Sequence, residues 1–169
     1  MSETMYLRPY QPADAPAAAE VASAAIRETG AEAYQPDQLA AWGAWPDDVD
    51  AFAELLGEGE TWIAEHEGQI VAFGQRFPAD HINLLYTHPS VNRQGIAGRL
   101  YAKLETHALE EGIATLTAKA SHLSRPFFAK HGWVLDESEV VEREGVRIER
   151  FSMHKALSTP LRKEKLVTT

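Results

Sequence analysis

The stretch that decides the fold is "THPSVNRQGIAGRL", residues 87–100. An apolar strand, "INLLY" at 82–86, runs into it, and a helix with apolar residues at helical spacing, "RLYAKLETHAL" at 99–109, runs out. Arg93, Gln94, Gly95, Ala97 and Gly98 crowd the junction between them. Small residues and basic charge at a helix start point to an anion. The first backbone N–H groups there lack intrahelical acceptors, and the helix dipole adds a positive potential. Gly95 and Ala97 admit close backbone approach, while Arg93, Gln94 and Arg99 can reach anionic oxygens. A P-loop is excluded, because Gly95 and Gly98 stand too close together and no Lys follows. A dinucleotide fingerprint is excluded too, since it follows the first strand and needs an acid further on. A short nest suited to a diphosphate remains.

Outward from this junction the chain alternates simply. "MYLRPY" (5–10) predicts a short strand, and "DAPAAAEVASAAIRETG" (14–30) a helix stopped by Gly30. "QPDQLAAWGAW" (35–45) and "DVDAFAELLGEG" (48–59) predict two short helices. "ETWIAEHEGQIVAFGQRF" (60–77) reads as a hairpin around Glu67-Gly68. "HINLLYT" (81–87) is a fourth strand whose apolar centre predicts burial on both faces. A helix from about Gly98 to Glu111, the strand "ATLTAKA" (114–120) and the short helix "SRPFFAKHG" (124–132) come next. Two strands, "WVLDESEVVE" and "VRIERFSMHK", close the domain around an Arg-Glu-Gly turn. The expectation is one domain over 1–157, with a flexible tail at 158–169.

Composition narrows the function. The chain has 169 residues, 44% hydrophobic and 24% charged, as in a globular domain. There is no apolar run of membrane-spanning length and no secretory leader pattern, so a cytoplasmic setting is expected. The absence of cysteine excludes disulfides, zinc–thiolate sites and Cys nucleophiles. The seven histidines are dispersed without metal-ligand spacing, so no metal is expected, and no G-x-S-x-G elbow occurs. Net charge is −9, but residues 1–65 carry thirteen acids against Arg8 and Arg27. That imbalance predicts an acidic half facing a cation, and it disfavours nucleic acid.

Junction, downstream motif and element order together resemble the GNAT superfamily of acyl-CoA-dependent N-acyltransferases. The family's pyrophosphate loop, Q/R-x-x-G-x-G/A between a strand and a helix, is matched by Asn92-Arg93-Gln94-Gly95-Ile96-Ala97. Its second signature, an Asn followed by a "Y-E-K-x-G-F"-like end, is matched by Ser121 and "RPFFAKHGW" (125–133). The resemblance spans residues 5–154. It implies an α/β fold of α+β type: a mixed, mostly antiparallel sheet of about seven strands, helices on both faces, splayed between strands four and five. It implies acetyl-CoA as co-substrate and transfer of acetyl to a small-molecule or peptide-borne primary amine by direct attack in a ternary complex. Main-chain groups of Leu85, Tyr86 and Thr87 would hold the pantetheine arm, and residues 92–99, Ser121 and Phe128 would contact the cofactor. Three positions depart from the family: Asn92 for Gln or Arg, Ser121 for Asn, and Phe128 for the Tyr that protonates the thiolate in many members.

For the chemistry, His81 and Asn83 are the candidate catalytic residues: His81 falls where several members place a base, and alternation puts Asn83 and Leu85 on its side of the strand. Tyr34, Trp42 and Trp45 lie between the first two helices, which the resemblance implies form the acceptor lip, where aromatic faces could cage an ammonium. With the acidic half, they predict a cationic amine. Self-association to a homodimer is left open. A non-catalytic acyl-CoA-binding domain is the alternative reading, supported by Ser121 and Phe128.

Overall fold

Seven strands form one sheet in the order β1–β2–β3–β4–β5–β7–β6. The structure is a computed structural model describing residues 5–43 and 45–157. The predicted tail and the side chain of Trp45 lie outside the described residues. The strands are β1 (Met5–Pro9), β2 (Glu60–His66), β3 (Gln69–Arg76), β4 (His81–Thr87), β5 (Thr115–Ala120), β6 (Val134–Arg143) and β7 (Val146–Ala156). Every pairing is antiparallel except β4 with β5. Both hairpins turn where expected: Glu67 and Gly68 have φ of 54° and 80°, Glu144 and Gly145 of 53° and 77°. Two successive positive φ values match the right-handed twist of the strands they join.

Helices cover both faces. On one, α1 (Ala15–Ala24) lays Ala18, Ala19, Val21 and Ala22 on Ile63 and Phe73, with Phe52 and Leu56 of α3 (Val49–Leu56) beside them. The Ala-rich face lets α1 sit close to the sheet. A π-helical turn, Ala25–Thr29, extends it to Gly30, where a Cβ would lie 2.7 Å from Leu39 Cδ2. Glycine there lets α2 (Pro36–Trp42) close down on the β6–β7 hairpin through Tyr34, Ala41 and Ile148. On the other face, α4 (Ile96–Glu110) buries Leu100, Tyr101, Leu104 and Ala108 against the sheet. There Phe128 of α5 (Arg125–Lys130) packs on Trp133, ring centroids 4.7 Å apart.

Two expectations need correction. α4 begins at Ile96, two residues before Gly98, because Gly95 with φ 82° caps it in the left-handed region. β4 is not fully buried on both faces: only Ile82 is buried, and its other residues are partly buried. The reason is the departure of β5.

Candidate active site

β4 and β5 pair only at His81–Thr117 and Ile82–Ala118. Beyond that point they diverge, and a cleft of about 730 Å³ opens between them. Residues 81–87 line one wall and residues 119–121 the other, with Ser124, Phe127 and Phe128 of α5 at the side. At its far end the cleft reaches Asn92 and Ala97, beside the α4 N-terminus. At its near end, Arg76 clamps the chain where β4 starts. Its buried guanidinium bridges Glu60 (2.7 Å) and Glu111 (2.8 Å) and donates to the Ala79 carbonyl.

The loop at the far end has the conformation of a nest. Arg93 and Gly95 take φ of 66° and 82° on either side of Gln94, an alternation of backbone hand that suits a nest ahead of the helix. The Asn92 side chain donates to Thr29 Oγ1 (3.1 Å), tying the loop to the end of the first helical segment. Gly98 has helical φ, and a Cβ there would meet only His131 Nε2, at 3.9 Å. Neither backbone strain nor crowding within the chain requires glycine at that position. Ile96 is buried, and like Gly95 and Gly98 it is not among the residues lining the cleft. Arg93, Gln94 and Arg99 do not line the cleft, and Arg99 reaches Met5 Sδ instead.

A bulge reshapes the near end. The β3–β4 register steps from Gln75–Leu84 to Arg76–Ile82, which leaves Asn83 as the extra residue. Alternation is broken there. Ile82 and Leu85 pack in the core beneath α4, whereas Leu84 packs under α1 and α3. Asn83 joins Leu84's face and donates to Gln75 Oε1 (2.8 Å), whose amide donates to Leu55 O and Thr61 Oγ1. The expectation that His81 and Asn83 share a side with Leu85 is therefore corrected. His81 Nδ1 lies 2.7 Å from Thr117 Oγ1, and that hydroxyl has the Asp80 carbonyl as its own acceptor. This pattern assigns the proton to Nδ1 and leaves Nε2 with a free lone pair. Burial holds the His81 pKa below its usual value, and Lys119 and Arg150 lower it further against the opposing charge of Asp80.

Comparison with known proteins agrees with this geometry. The acetyltransferase (GNAT) domain model matches residues 30–156. The chain belongs to the GNAT acetyltransferase family. The uncharacterized N-acetyltransferase YafP of Escherichia coli (strain K12) is 29% identical over 147 residues, covering 87% of this chain and 93% of that protein. The crystal structure of a GCN5-related N-acetyltransferase from Rhodopseudomonas palustris superposes with a TM-score of 0.88 at 35% identity, over 91% of this chain and 96% of that one. The PaiA N-acetyltransferase of Thermoplasma acidophilum, solved with coenzyme A, shares the fold at a TM-score of 0.71 and 16% identity, over 91% and 99% of the two chains.

In this GNAT cleft several anticipated residues have other partners. Ser121 Oγ accepts from the N–H groups of Leu123 and Ser124, so its hydroxyl starts α5. Phe128 is buried on Trp133 and closes the cleft with hydrocarbon, so this position offers no hydroxyl to the cleft. Tyr34 and Trp42 meet edge to face at 5.2 Å, and Tyr34 Oη accepts from the His122 N–H at 2.8 Å. Tyr34 is 7% exposed, so it is a wall of the cleft and not one side of an open cage. Burial raises the Tyr86 hydroxyl to about 12, with Trp42 hydrogen-bonded to it. Among the described residues, no Asp or Glu from 1–65 lines the cleft. The predicted acidic face for the acceptor is thus absent. Sequence reasoning missed Lys119, Arg143 and Arg150, which do line it. Only their exposed parity on β5 and β7 could have marked two of them.

Proposed function

We propose that the protein transfers the acetyl group of acetyl-CoA to a primary amine by direct attack within a ternary complex. The observation that carries this reading is one continuous cleft joining the nest at residues 92–98 to His81, where β4 and β5 part. The pyrophosphate sits on the nest, and the pantetheine arm replaces β5 as the hydrogen-bonding neighbour of Leu85, Tyr86 and Thr87. The acceptor nitrogen attacks the thioester carbonyl, and its proton passes to His81 Nε2, directly or through a water. Collapse breaks the C–S bond, forming the amide and releasing thiolate. A thiol pKa near 8.5 lets water protonate it, so the Phe128 side chain is no obstacle. Asn83 is a positioning residue: with Gln75 it props the bulge beside the reacting carbonyl.

The reading is tested with Gly98→Glu, which the helical backbone and open surroundings tolerate. Acetyl-CoA should raise the melting temperature of the native protein by mass action, and the variant should lose most of that shift. A variant that folds normally and keeps the full shift would overturn the loop assignment. Thiol release from acetyl-CoA in the presence of amines then tests turnover.

A further inference from the structure

The acceptor end of the cleft carries its own charge pattern. Leu116, Ala118 and Ala120 face the core under α4, so Lys119 points to the opposite face of β5. Arg150 and Ser152 on β7 and Glu139 on β6 lie on that same face. One carboxylate, Glu139, holds two cations: Lys119 Nζ at 3.3 Å and Arg150 through Nε alone. Among the described residues the terminal nitrogens of Arg150 meet no acceptor, and its side chain is 31% exposed. Lys119 places a second donor on Ser152 Oγ at 2.7 Å. Arg143 adds a third cation with no ion pair among the described residues. The opposing acid on the lining, Glu149, is held by His122 Nε2 at 3.0 Å. Among the described residues the cavity lining thus carries three cations and one carboxylate, Glu149, while Glu139 pairs with two of those cations from outside the lining.

We infer that this face is an acceptor subsite for a carboxylate, held on the free fork of Arg150 beside Lys119, so that the acceptor is an amino acid or a similar amine–carboxylate compound. The inference rests on the acetyltransferase reading and deepens it. The guanidinium's planar pair of donors matches a planar carboxylate. CoA phosphates are not the occupant, since their nest lies toward the other end of β4, a strand roughly 20 Å long at 3.3 Å per residue. The same positive field suits the chemistry. It adds to the burial that lowers the pKa of His81, against the opposing charge of Asp80, and would likewise favour the neutral form of an amine bound beside it. A polycation would meet like charge.

The test pairs each of a set of α- and ω-amino acids with its own amide and its decarboxylated amine, read by thiol release. Amino acids should exceed their partners in kcat/KM by about 10-fold or more, a margin within the reach of a bidentate charge-assisted pair. Arg150→Gln should bring that ratio toward one. Amides or simple amines that equal the amino acids overturn the inference, as does an aminoalkylphosphonate that outperforms its carboxylate counterpart. Should no amine turn over, titration of the CoA-saturated protein with the same pairs still decides: tighter carboxylate binding that Arg150→Gln removes supports the subsite, and equal binding overturns it. Failed turnover with retained carboxylate binding would count against acetyl transfer alone.

Discussion

At the scale of the residue, His81 carries the sharpest prediction. Its pKa is lowered chiefly by burial, with Lys119 and Arg150 adding to the effect and Asp80 opposing it. A base must be unprotonated, so kcat/KM should rise with pH along a limb whose apparent pKa lies below the unperturbed 6.5. His81→Ala should erase the limb and lower kcat/KM by roughly 10- to 1,000-fold, while sparing the acetyl-CoA thermal shift. Lys119→Met should move the limb upward; a limb indifferent to both substitutions would remove His81 from the mechanism. The shift also has a sign for stability. The unfolded chain binds the proton more readily, so this residue weakens the fold as pH falls below 6.5. None of this was settled by the local sequence. "DHINLLYT" places Asp80 beside His81, but Lys119 and Arg150 arrive from β5 and β7.

At the scale of the element, α4 and β4 each give up regularity for the cleft. Glycine inside the first turn of a helix costs up to about 1 kcal/mol relative to alanine, and at Gly98 nothing in the chain demands it. Gly98→Ala should therefore raise the melting temperature of the ligand-free protein by roughly 2–4 °C and raise the KM for acetyl-CoA. If stability and affinity rise together, no ligand approaches that position closely. On β4 the bulge depends on Asn83 and the fully buried Gln75. Asn83→Leu strands the Gln75 carbonyl oxygen, at a cost of about 1–3 kcal/mol. Its activity loss should fall on kcat more than on the KM for acetyl-CoA, measured by steady-state kinetics alongside thermal melts. The turns at Glu67-Gly68 and Glu144-Gly145 and the helical spacing of 99–109 were legible because they depend on neighbours in sequence. The bulge was not, because it is a register step between strands.

At the scale of the whole molecule, the link between β1 and the first helix shows how the acidic half is used. Arg8 donates to both Asp14 oxygens at 2.8 and 2.9 Å and to Glu65 at 2.6 Å, while Asp14 also accepts from the Gln11 N–H. The Arg8 guanidinium holds the Asp14 carboxyl below its usual value. A depressed folded pKa means that this stability is present above about 3.9 and is lost as pH falls through the folded value. Asp14→Asn should destabilise the protein by about 2–4 kcal/mol at neutral pH and flatten the acid limb of its unfolding profile. The sequence by itself determined what is written in local patterns: strand and helix order, the hairpin turns, and a glycine-marked helix start at 92–98. Only the tertiary structure decided where β4 leaves β5, which face His81 and Asn83 occupy, and that Tyr34 is a wall. It also decided the charge of the cleft lining. The thirteen acids of residues 1–65 bias a charge count, yet the cleft is lined by Lys119, Arg143 and Arg150. Short-range propensity is encoded in adjacent residues, whereas the field in a cleft is a sum over strands that meet only after the sheet has formed.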